Sequence, residues 1–91
     1  MSDPKSMIAR NSFKKVGFDW CELTWDTRAD SIRFMRSHRA IMINVPFWIR
    51  EMPTPLFEEL MDYAAARITE RDATKSERLK KWIAEHRRDA A

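Results

Sequence analysis

Ninety-one residues, 44% hydrophobic and 34% charged, have the composition of one small globular domain rather than a disordered chain. A single glycine excludes glycine-rich phosphate loops and dinucleotide fingerprints, and a single cysteine, Cys21, excludes a disulfide framework within the chain. The net charge of +3, from 17 Lys and Arg against 14 Asp and Glu, permits a nucleic-acid partner without requiring one.

No apolar stretch approaches the roughly 18 residues of a membrane span, and the first residues lack the apolar core of a signal peptide. The expected setting is therefore cytoplasmic and reducing, with no membrane association. Four tryptophans and five phenylalanines are many for this length. Most must be core, and the remainder suit a homodimer interface.

Residues 1–12 have no clear period and few bulky groups, which predicts a flexible N-terminal arm ahead of a single domain over 13–91. From Phe18 the chain alternates. Phe18, Trp20, Glu22 and Thr24 fall on one side and Asp19, Cys21, Leu23 and Trp25 on the other, predicting a strand over 17–25. A polar stretch at 26–30 can turn. "SIRFMR" predicts a second strand, and "AIMINV", a β-branched apolar run at 40–45, a third and more buried one. The links between them are short, so an antiparallel three-stranded meander is the expected sheet.

Three prolines within residues 46–55 end the sheet. Thr54 is a good N-cap and Pro55 suits the first helical position. Leu56, Phe57, Leu60, Met61, Ala64 and Ile68 follow helical spacing as a core-facing stripe. Glu58, Glu59 and Asp62 near the start of this helix, and Arg67 and Arg71 near its end, complement the helix dipole. Arg67 and Arg71 are four apart and would share one helical face. A last helix opens with the capping box "TKSE" at 74–77 and buries Leu79, Trp82, Ile83 and His86. The expected fold is α+β, a three-stranded antiparallel sheet packed by two helices.

The run "IMINVPFWIREMPTPLFEELMDYAAARITER", residues 41–71, with the strand before it, resembles the core of zincin metallopeptidases of the SprT-like and YgjP-like kind. Their last strand reads roughly I-x-I/L-N and leads through a proline to a helix carrying HExxH. Laid on that pattern, Arg67 and Arg71 stand at the two histidine positions and Ile68 at the glutamate position. Zinc needs neutral imidazoles at that spacing and a carboxylate to activate its water. Two guanidinium groups repel the metal, so the resemblance implies a degenerate relative with neither metal nor peptidase activity.

Cys21, His38 and His86 are too widely spaced for a zinc motif, and no cofactor is expected. Basic residues are the better lead. Arg33, Arg36 and Arg39 surround one strand and its turn, and the last helix adds Arg78, Lys80, Lys81, Arg87 and Arg88. Together they would grip phosphates if they formed one patch. Trp25 or Trp48, if exposed, would stack on bases or fill a partner's pocket. Two readings stay open: a non-catalytic module binding a protein partner or itself, and a small basic nucleic-acid-binding protein.

Overall fold

A computed structural model describes residues 3–87 as helix α1 (Pro4–Lys14), strands β1 (Trp20–Asp26), β2 (Arg33–Ser37) and β3 (Ala40–Pro46), a 3-10 turn (Phe47–Glu51), and helices α2 (Thr54–Ile68) and α3 (Glu77–His86). Over these residues the fold is α+β, with three helices and one three-stranded sheet. Arg88, one of the basic candidates, and residues 1–2 of the expected arm lie outside the described residues.

Most of the segment expected to be a loose arm is helix α1. Asp3 caps it by accepting the Lys5 N–H at 3.1 Å, and Pro4 stands in the first turn. The Asp3 carboxylate also accepts the Trp25 indole N–H at 3.1 Å, which ties the helix start to β1. Only Ala9, Ser12 and Phe13 are fully buried along α1, so the helix owes its order to packing on α2 and β1. That is why its own periodicity is faint. Gly17, at φ +107°, turns the chain from α1 into β1, a conformation that L side chains rarely adopt.

The sheet is mixed, not an antiparallel meander. Its order is β1-β3-β2, with β1 parallel to β3 and β2 antiparallel to it. The reason lies in burial. β3 holds Ile41, Ile43 and Val45, each at most 1% exposed, and its apolar run gains most from a central place flanked on both sides. Residues 27–32 carry the chain past that place, and the turn His38-Arg39, with His38 at φ 53°, brings it back beside β2. Helices α1 and α2 cover one sheet face. Phe13, Phe57, Met61, Met52 and Leu79 meet Ile41, Ile43 and Cys21 in a single core.

Both later helices start differently from expectation, and α2 also stops sooner. α2 begins at Thr54 with Pro53 in the cap position, and no side chain caps it. It ends at Ile68 in a Schellman motif, with Glu70 in the left-handed conformation at φ 60°. The Glu70 N–H donates to Arg67 O and the Arg71 N–H to Ala66 O at 2.8 Å, while the Thr69 hydroxyl donates to Ala65 O at 2.8 Å. Arg71 therefore lies beyond the helix and does not share a helical face with Arg67. The cap of α3 is Ser76 rather than Thr74: its hydroxyl accepts the Leu79 N–H at 3.1 Å. Glu59 of α2 accepts the Ser76 N–H at 3.1 Å, taking the part a capping-box glutamate would play within one helix.

Candidate functional site

Several of the basic candidates are engaged separately. Arg33 and Arg36 are three apart on β2, so they point to opposite sheet faces. Arg36 lies over the Phe18 ring, 5.1 Å from its centroid, and donates to Ile68 O at 3.4 Å. Arg39 pairs with Asp19 at 2.9 Å beside the hairpin turn. On α3, Arg78 pairs with Glu59 at 3.8 Å, Lys80 with Glu77 at 3.4 Å, and Lys81 is exposed.

The carboxylates Glu59, Asp62 and Asp26 have partners within the fold, and the Cys21 thiol is buried. Hydrogen bonding from Ser76 holds the Glu59 carboxyl below its usual range, helped by Arg78. Asp62 pairs with Lys15 at 3.9 Å. The Asp26 carboxyl is likewise held low, first by the Asn44 side-chain N–H at 2.9 Å and then by the Arg28 backbone. Burial pushes the Cys21 thiol up to about 11, so it stays protonated at neutral pH and is a poor nucleophile. The His86 ring stacks on Trp82 at 4.0 Å, and Trp82 in turn stacks on Trp48 at 6.1 Å. Among the described residues, no three His, Cys, Asp or Glu side chains come together as a metal site would require.

Two surfaces remain. The first is the sheet face away from the helices. Its side chains form three rows across β1, β3 and β2: Trp20–Ala40–Ser37, Glu22–Met42–Met35 and Thr24–Asn44–Arg33. Trp20 is 60% exposed, Met35 68% and Met42 44%. Trp25 and Trp48, the tryptophans the sequence singles out for stacking, are half-buried, whereas Trp20 is exposed. The signal was present, because Trp20 shares its strand parity with Glu22 and Thr24.

The second surface is a groove of about 520 Å³ on the helical side, between β2, the loop before it, the 3-10 turn, α2 and α3. Phe34, Trp48, Leu60 and Ile83 form its apolar walls. Arg67, Lys75 and Arg87 line it as cations, and Asp30 is its one carboxylate. Of the three zincin-like positions, Arg67 and Ile68 reach this groove and Arg71 does not. The Trp48 indole N–H is buried and finds no acceptor among the described residues. The groove draws on five separate segments, so no local pattern in the sequence announces it.

No helix among the described residues is long and apolar enough to cross a membrane. Compared with protein-family models, with curated proteins and with solved structures, the chain matches none of them.

Proposed function

We propose that the chain is a non-catalytic interaction module whose outer sheet face pairs with a second copy of itself. The observation that carries this reading is the exposure of Trp20, Met35 and Met42 together on one uncovered face. The face is also self-complementary. A two-fold axis parallel to β3 would set β1 of one copy over β2 of the other, with β3 over β3. Trp20 then meets the small Ser37 and Ala40, Met42 meets Met42, and Glu22 lies over Met35 within reach of Arg33. Two Glu22–Arg33 pairs flank the central Met42 contact, one along each edge of the face.

Three strands about 4.8 Å apart and some 20 Å long offer on the order of 300 Å² of flat area per copy, below the standard size of specific interfaces. The dimer is accordingly expected to be weak and reversible, forming at micromolar concentrations or above. The buried, protonated Cys21 and the stacked His86 support a module without chemistry of its own. The resemblance to zincin cores leads to the same place, since Arg67 and Ile68 would stand where a metal ligand and a base are needed. Support for the nucleic-acid reading is thinner, because Arg36, Arg39 and Arg78 are engaged locally and Arg33 and Arg36 face apart.

Sedimentation at increasing concentration tests the proposal. A reversible monomer–dimer equilibrium is expected, abolished by Met42→Lys with the circular dichroism unchanged. Glu22→Arg and Arg33→Glu should each weaken it, and the double swap should restore it. A strictly monomeric chain at millimolar concentration, or a double swap that restores nothing, overturns the reading. Titration with DNA and RNA at two salt concentrations serves the alternative, which would gain from tight, salt-sensitive binding.

A further inference from the structure

We infer that the groove between β2, α2 and α3 is a binding site for a small amphipathic anion, an apolar chain or ring ending in a carboxylate. Its volume of about 520 Å³ lies within the range of small-molecule sites. Its walls are apolar, from Phe34 on the sheet side, Trp48 on the 3-10 turn and Ile83 on α3. Such walls take a hydrocarbon body in place of water.

The charges specify the head group. Arg67, Lys75 and Arg87 line the groove and form no ion pair with the described carboxylates, unlike Arg39, Arg78 and Lys80. Lys75 sits over the Tyr63 ring, 5.4 Å from its centroid, which holds the ammonium at the groove without neutralising it. Against these three cations the groove sets one acid, Asp30. A neutral hydrophobe would satisfy the walls but not the excess positive charge. A bare phosphate or sulfate would satisfy the charge and leave the walls wet. Only a ligand with both parts fits.

The site differs from the proposed dimer face in place and in chemistry, so the two stand or fall separately. Phe34 and Arg36 point to the groove side of β2, and Arg33 and Met35 to the other.

The test is titration of the full chain with sodium decanoate, with decanol as the neutral match and inorganic phosphate as the charge-only match. The four indole N–H signals in a nitrogen–proton correlation spectrum serve as reporters. Saturable decanoate binding is expected, at least ten-fold tighter than decanol and phosphate, moving the Trp48 signal and leaving Trp20 in place. Arg67→Gln, Lys75→Gln and Arg87→Gln alter exposed or half-exposed side chains, so the fold should persist. Each should weaken decanoate several-fold, and the triple variant should bring decanoate and decanol level. The inference is overturned by decanoate binding no tighter than decanol, by a triple variant that keeps the preference, by shifts confined to Trp20, or by no saturable binding at all.

Discussion

Leu79 is the one fully buried residue of α3, and truncating it to alanine tests how that helix is held. The change removes three carbons from a site with no exposure. At about 0.8 kcal/mol for each carbon group, transfer alone costs about 2.4 kcal/mol. The cavity left behind raises this toward the 2–5 kcal/mol typical of buried leucines. α3 has ten residues, below the length at which an isolated helix holds in water, so it depends on docking through Leu79, Trp82 and Ile83. A thermal melt followed by circular dichroism should fall by roughly 10–20 °C, at about 4–8 °C per kcal/mol for a domain this small. Amide exchange within α3 should accelerate by a larger factor than exchange within β3. Ile83 and Arg87 line the groove, so decanoate binding should weaken in the same variant. Lys80→Ala is the control: its partner Glu77 is 93% exposed, and the change should stay within about 0.5 kcal/mol. A drop of less than about 4 °C for Leu79→Ala, with α3 exchange unaltered, would refute the idea that this side chain anchors the helix.

Gly17→Ala meets no atom within 4 Å of the added methyl, so any loss reports backbone strain at φ +107° alone; about 1–2 kcal/mol is expected in a denaturant titration. Ser76→Ala should cost about 1 kcal/mol through the lost cap of α3. Because the Glu59 carboxyl sits below its usual range, its contribution is present above about pH 4.3 and is lost as pH falls through the folded value. Glu59→Gln keeps an acceptor for the Ser76 N–H and should flatten that acid limb of the stability profile. The Cys21 thiol, raised to about 11, should react with iodoacetamide at pH 8 on the order of 100-fold more slowly in the folded chain than in denaturant. In the unfolded chain the thiol ionises first, near 8.5, so its contribution holds below that pH and is lost as pH rises toward 11.

Much of the local structure was legible. The alternation from Phe18, which predicts a strand over 17–25, and the β-branched run at 40–45 place β1 and β3 within three residues of their observed bounds. The stripe from Leu56 to Ile68 marks the length of α2, and Leu79, Trp82 and Ile83 do face the core from α3. The helix ends were less so. Thr74 offers a cap in the sequence, but Glu59, a neighbour only after folding, engages Ser76 instead. Helix α1 was illegible for a related reason: three buried residues in eleven are too faint a stripe, and its support comes from α2 and β1. Whether the basic residues share a face was open in the sequence; strand geometry sends Arg33 and Arg36 to opposite faces.

What the sequence by itself determined is where the chain alternates, where it repeats at helical spacing, and which side chains seek burial. These are properties of neighbours along the chain, set by the two-residue period of a strand and the 3.6-residue period of a helix. Only the tertiary structure decided which strand lies in the middle, because that place goes to the run with most to gain from burial on both flanks. By seating β3 between β1 and β2, folding left Trp20, Met35 and Met42 on one open face. It also brought Phe34, Trp48, Ile83 and the cations Arg67, Lys75 and Arg87, far apart in the chain, around one groove.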